Sequence, residues 1–169
     1  MAAEIINVFK EHLPSHRFIG ICYSDSDRDM YGSFGSKWGE WFSTNMFGPL
    51  EALGPLTESD NAFFGLMKCV NDNFEYWIGM QFPSNTLVPE GYSYVDIEDG
   101  DIATCYIYGN EENGELYGTN AHNACMDKVV EAGYEIKEDP WFFERYNCPR
   151  FTTPDEHGKV ILDYSIYVK

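Results

Sequence analysis

The sequence predicts an α+β fold built from two related β-α-β-β halves. Three observations predict it. Runs of β-branched and aromatic residues outnumber helical stretches; each half holds one stretch with apolar residues at three- and four-residue steps; and in both halves the order is strand, helix, hairpin. At 169 residues the chain suits one compact domain, residues 1–169, with halves of about 1–83 and 84–169. No residue-by-residue match relates the halves, so the repeat is one of pattern.

Ile5 to Phe9 and Arg17 to Tyr23 are interrupted at Leu13-Pro14-Ser15, which reads as a first strand broken by a bend. A polar loop from Ser24 to Asp29 follows, extended by Gly32 and Gly35. Ser36 caps a helix in which Trp38, Trp41, Phe42, Met46 and Leu50 recur at helical steps, ended by Gly54-Pro55. Two strands, Ala62 to Val70 and Phe74 to Phe82, are joined by Asn71-Asp72-Asn73, which has hairpin chemistry. After Pro83 the order restarts. Tyr92 to Ile97 and Ile102 to Tyr108 read as strands about a turn at Gly100, and an acidic, glycine-bearing loop runs from Gly109 to Gly118. Asn120 caps a helix with Ala121, Ala124, Cys125, Val129 and Ala132 on one face, and Gly133 stops it. An aromatic strand around Glu144, a polar loop through Pro154 to Gly158 and a last strand from Lys159 to Val168 complete the chain.

Eleven basic against 28 acidic residues give a net charge of −17, which argues against a nucleic-acid partner, since such binding depends on neutralising phosphates. Glu90 to Pro140 alone holds 13 acidic residues and two lysines. Such a field draws cations and basic protein surfaces, or simply keeps the chain soluble. Five cysteines (Cys22, Cys69, Cys105, Cys125, Cys148) are odd in number and scattered, without a Cys-x-x-Cys pair. They fit reduced thiols in a cytoplasm and no zinc site. Glu4 and Lys10 interrupt the first apolar stretch, so neither a signal peptide nor a membrane span is expected. His12, His16, His122 and His157 are isolated, no nucleophile–base spacing is present, and no glycine loop has phosphate-binding form. No cofactor or metal is expected.

Trp141-Phe142-Phe143-Glu144-Arg145-Tyr146 sets one carboxylate among rings. On a strand, Phe142, Glu144 and Tyr146 face one way and Trp141, Phe143 and Arg145 the other. If Glu144 faces inward it needs a partner, because an isolated buried carboxylate is costly. An organic cation is one such partner, and rings add roughly 0.5–2 kcal/mol per good cation–π contact. Alternatively, Arg145 or another base neutralises Glu144 at the surface.

Several patterns together resemble the GyrI-like effector-binding family, which is also fused to DNA-binding segments in AraC-type and MerR-type multidrug-responsive regulators. They are Arg17-Phe18-Ile19-Gly20-Ile21; Tyr76-Trp77-Ile78-Gly79; Ile97-x-x-Gly100-x-x-Ala103-x-x-Tyr106-x-x-Gly109; and Gly133-Tyr134-Glu135 with the aromatic hexapeptide and a closing apolar strand. The resemblance covers nearly the whole chain. It implies duplicated β-α-β-β modules, an antiparallel sheet and two helices around a central aromatic cleft that takes bulky, flat, often cationic molecules, with Glu144 deep inside as the anchor. The chain departs from the regulators in having no helix-turn-helix pattern, so no DNA-binding domain is expected.

Beside Glu144, the candidate ligand contacts are Tyr146 on its face, Trp141 at the head of the run, Trp38 and Trp41 on the first helix, Tyr76, and the pair Tyr106 and Tyr108. Cys105 and Ile107 on the other face of that strand suit packing on a helix, which leaves the two tyrosines for the cleft. The expected function is a stand-alone protein that senses or sequesters hydrophobic, cationic organic compounds. One alternative is a hydrolase of reactive electrophilic small molecules, with Glu144 moving the proton. Another is an acidic, gyrase-inhibitor-like module for a basic protein partner. Oligomeric state has no signature in the sequence.

Overall fold

The computed structural model describes residues 3–54, 62–112, 114–146 and 149–169. Pro55 and Cys148, which entered the sequence reading, lie outside them. The fold is α+β and dominated by antiparallel strands. It divides into two compact units, Pro14–Asp99 and a second made of Met1–Leu13 with Gly100–Lys169. No helix among the described residues is long and apolar enough to cross a membrane.

The division differs from a cut near Pro83 because the first and fifth strands change sides. Strand β1 (Glu4–Leu13) and β2 (His16–Tyr23) are not one bent strand. β1 pairs with β6 (Gly100–Gly109), from Glu4 opposite Tyr108 to Leu13 opposite Gly100, with a bulge between Ile5 and Asn7. β5 (Ser93–Ile97) returns to β2, where Ser93 lies opposite Gly20. Side-chain alternation sets which face a residue occupies, but it does not select the partner strand.

In the N-terminal unit the strands lie in the order β3-β4-β2-β5, with β3 at Phe63–Val70 and β4 at Asn73–Pro83. The β3–β4 hairpin turns through Asn71 and Asp72, both with positive φ (49° and 65°), as a two-residue turn of matching twist requires. Gly20 and Gly79 face each other across β2 and β4. A Cβ on Gly20 would lie 1.9 Å from the Ile78 carbonyl oxygen, and one on Gly79 2.1 Å from that of Ile19, so both positions of the sequence motifs require glycine.

Helix α1 (Gly35–Ser43) is followed by a separate short α2 (Phe47–Glu51). The periodic pattern from Trp38 to Leu50 runs straight through the break. Asn45 takes a left-handed conformation (φ 55°), the Met46 N–H reaches the Trp41 carbonyl and the Asn45 N–H that of Phe42, which together form a Schellman stop. Ser36 lies inside α1, and Phe34 holds the N-cap position.

In the C-terminal unit the order is β1-β6-β8-β7, with β7 at Phe142–Tyr146 and β8 at Val160–Val168. Helix α3 (Thr119–Glu131) starts after Gly118 rather than at Asn120, and buries Ala121, Cys125 and Val129 while Ala124 and Ala132 are exposed. Gly133 (φ 93°) stops it as expected, with Tyr134 N–H bonded to the Val129 carbonyl. The Cys105 thiol lies 3.7 Å from the Cys125 carbonyl oxygen, so α3 covers the Cys105 and Ile107 face of β6. A short helix, α4 (Pro149–Thr152), stands between β7 and β8. The four described cysteines, Cys22, Cys69, Cys105 and Cys125, are free thiols.

Candidate ligand-binding site

Register in the C-terminal unit decides what surrounds Glu144. On β7 and β8, Glu144 lies directly opposite Tyr164, and Arg145 opposite Asp163. Directly opposed residues share a face, so Phe142, Glu144 and Tyr164 face one way and Arg145 and Asp163 the other. On β6, Cys105 opposes Tyr164, which makes the Glu144 face the one that α3 covers.

Glu144 is buried, 8% exposed. Arg145 does not neutralise it at a surface: its guanidinium reaches Asp163 on the far side at 2.7 Å and Glu11 at 3.8 Å. On the same face, His122 on α3 has its Nδ1 2.6 Å from the Tyr164 hydroxyl, and its ring centroid is 4.9 Å from that of Phe142. Burial, followed by the charge of Glu144, pushes the Tyr164 phenol far above its ordinary value, so it stays protonated. Tyr117, in the turn ahead of α3, is raised by the same two causes in the same order. Burial holds the His122 imidazole below its ordinary value, and it is neutral at pH 7. The arrangement is a carboxylate among two phenols, a phenyl ring and a neutral imidazole.

The opposite face carries a second buried acid with a different environment. Asp163 is 1% exposed. Arg145 donates to it through Nε and Nη2, and Arg150 donates to its Oδ1 at 2.6 Å and also bonds its other oxygen. Thr104 donates to Glu11 at 3.0 Å and shares a 2.8 Å bond with the Ser165 hydroxyl.

Of the residues picked from the sequence, the sheet does not put Tyr106 and Tyr108 with Glu144. Tyr106 opposes Asp163 and lies on that face, 5.1 Å edge-on from Phe9 and under the Arg150 guanidinium at 4.8 Å. Tyr108 bonds Asp155. Tyr146 packs edge-on against Phe151 at 5.0 Å, and the tyrosine set beside Glu144 by register is Tyr164. Trp141 precedes β7, and its carbonyl accepts the Tyr167 N–H.

Trp38, Trp41 and Tyr76 come together in the N-terminal unit. The Trp38 indole donates to the Tyr76 hydroxyl at 2.9 Å, and Tyr76 stacks on Phe34 with centroids 4.3 Å apart. Trp41 is wholly buried, donates to the Tyr23 hydroxyl and packs on Phe47 at 4.6 Å, so it is a core residue with no surface for a ligand.

His122, Tyr117 and Tyr164 were missed from the sequence. The signal for Tyr164 was its alternation with Leu162 and Ile166 in a strand, which marks a buried face without marking its neighbour. His122 carried none beyond its place next to Ala121 on the helix.

No protein-family model matches the chain, and none of the curated proteins matches it. Solved structures do. A Staphylococcus aureus MU50 protein described as a candidate for bacterial transcription regulation aligns with TM-score 0.65 at 15% identity, over 96% of this chain and 98% of its own. SAV2435 bound to tetraphenylphosphonium aligns with TM-score 0.62 at 14% identity, over 97% and 94%. An integron cassette protein from the mobile metagenome of Vibrio cholerae aligns over the whole of both chains with TM-score 0.56 and 12% identity. At such identities the likeness is one of fold.

Proposed function

We propose that this chain binds hydrophobic organic cations, with Glu144 as the anchoring charge and Phe142, Tyr164 and Tyr117 as the aromatic surround. One observation carries the reading: Glu144 is buried on the face of β7 and β8 that it shares with Phe142 and Tyr164, while the adjacent Arg145 is committed to Asp163 on the other face. A lipophilic cation meets such a site with charge and with ring faces together, and the rings tolerate many shapes while the carboxylate selects for charge. The similarly folded SAV2435 and its tetraphenylphosphonium ligand support this choice of ligand class. On this reading β2-α1-β3-β4 and β6-α3-β7-β8 are two copies of one module in a cytoplasmic protein, and Trp38 with Tyr76 offers a further stacking surface in the N-terminal unit.

Calorimetric titration with tetraphenylphosphonium tests the reading. Glu144→Gln keeps the shape of the side chain and should weaken binding at least tenfold, about 1.4 kcal/mol. Uncharged triphenylphosphine oxide should be indifferent to the change. Undiminished cation affinity in Glu144→Gln would remove Glu144 from its role.

The opposition of Glu144 and Tyr164 favours one further reading, hydrolysis of electrophilic small molecules, with the carboxylate moving a proton and the phenol orienting the substrate. Product formation from a reactive electrophile that vanishes in Glu144→Gln would turn the binding site into an active site.

A further inference from the structure

His122 is the titratable group of this cluster that the binding reading leaves without a task. Its Nδ1 meets the Tyr164 hydroxyl at 2.6 Å, its ring lies against Phe142, and Tyr164 and Phe142 are the cross-strand and same-strand neighbours of Glu144 on one face. We infer that His122 is a pH-operated selectivity element: neutral, it adds no charge to the face that carries Glu144, and protonated, it places a positive charge on that face and opposes an incoming organic cation. The inference rests on the reading of Glu144 as the cation anchor.

The hydrogen bond supplies the coupling. Tyr164 keeps its proton because its phenol is raised far above the ordinary range, and Nδ1 accepts a hydrogen bond from it when the neutral imidazole is the tautomer that carries its own proton on Nε2. When His122 takes up a proton, Nδ1–H becomes the donor and the hydroxyl oxygen the acceptor. The Tyr164 proton is then released from the imidazole on the side where Glu144 lies. One protonation therefore adds a positive charge and reorients a donor next to the same carboxylate, and both changes disfavour a bound cation.

The other groups facing His122 do not supply this titration. From β6 and from α3 itself come the thiols Cys105 and Cys125, and the contact between them holds Cys105 below and Cys125 above the ordinary thiol value. Tyr117 ahead of the helix is raised further from the working range. From β1, which also packs against α3, come Lys10 and His12, and both are paired with Asp101. Glu144 on β7 is the group whose own titration must be told apart from that of His122.

The test is calorimetric titration of tetraphenylphosphonium between pH 8 and pH 5 on wild type and His122→Asn, with the His122 ring protons followed by NMR in wild type with and without ligand. In wild type, affinity should fall by roughly tenfold per pH unit below the His122 midpoint if proton and ligand exclude each other. In His122→Asn the ratio of affinities at pH 8 and pH 5 should shrink towards one, whatever the affinity itself becomes. By reciprocity, bound ligand should move the His122 midpoint down. An unshrunk ratio in His122→Asn assigns the titration to Glu144 and overturns the inference while the anchor reading stands. An unmoved His122 midpoint in ligand-saturated wild type overturns it too, without reliance on any variant. Absence of binding at pH 8 is a different failure, because it removes the anchor reading and the inference with it.

Discussion

Glu144 and Asp163 are buried carboxylates on neighbouring strands of one sheet, set on opposite faces by the register of β7 and β8. Asp163 receives two guanidinium groups, from Arg145 and Arg150, with Glu11, Thr104 and Ser165 extending the network. Glu144 lies with Phe142, Tyr164, Tyr117 and His122. Two buried acids thus have unlike surroundings. Charge compensation from two arginines makes Asp163 part of the fold, whereas rings and a neutral imidazole share the Glu144 face, on which the proposed binding of organic cations rests. The adjacent Arg145 is what separates the two: alternation along β7 turns it towards Asp163 and away from Glu144.

The comparison breaks most visibly if the two acids are removed in turn. Asp163→Ala leaves the Arg145 guanidinium, 11% exposed, beside a gap where its counter-charge stood. Removing one partner of a buried pair is expected to cost about 3 kcal/mol. Glu144→Gln deletes a charge while keeping a polar group of the same size, and should change stability by less than about 1 kcal/mol. Urea unfolding of both variants measures the contrast. Equal losses would mean that Glu144 is as much a structural ion as Asp163.

Acid should act on the two faces differently. Arginines keep their charge throughout, but burial depresses the pKa of His122 on the Glu144 face. The unfolded chain then takes up protons at a higher pH than the folded one. Stability from this group is intact above the ordinary histidine value of 6.5 and declines as pH falls from there towards the depressed folded value. His16 in the N-terminal unit carries the same sign: burial lowers it, its Nδ1 donates to the Pro14 carbonyl, and its Nε2 is buried without a hydrogen-bond partner among the described residues. Melting temperatures between pH 7.5 and pH 5 should fall, and His122→Phe and His16→Phe should each remove part of the fall. A flat profile in wild type would show that neither histidine is held neutral by the fold.

How far these features were legible in the sequence follows from what a local pattern encodes. Gly133 as a helix stop and Asn71-Asp72 as a turn could be read because a left-handed residue is a local requirement. The stop at Asn45 uses the same chemistry, but the apolar period from Trp38 to Leu50 masked it. The caps assigned to Ser36 and Asn120 lie inside their helices, since a good capping residue marks a permitted start and the chain began each helix earlier. Alternation separated Glu144 from Arg145 correctly, yet it could not name Tyr164 as the opposite residue or bring His122 onto Tyr164. Those neighbours exist only after β8 has found its register and α3 has packed on β6, and no spacing along the chain expresses either event.

The smallest expected effect tests whether the Asp163 face is a network or a set of separate bonds. Thr104 and Ser165 are fully buried, and their hydroxyls join at 2.8 Å while Thr104 also donates to Glu11. Thr104→Val keeps the branched shape and removes both bonds, at a cost of about 1 kcal/mol, because the Ser165 hydroxyl is left buried without that partner. Ser165→Ala removes one. If the hydroxyls matter to each other, the double variant should cost less than the two single losses added together, since the second substitution removes a group already stranded by the first. Additive losses would mean that each hydroxyl is served independently, and the contrast between the faces would then rest on the arginine pair and Asp163 alone.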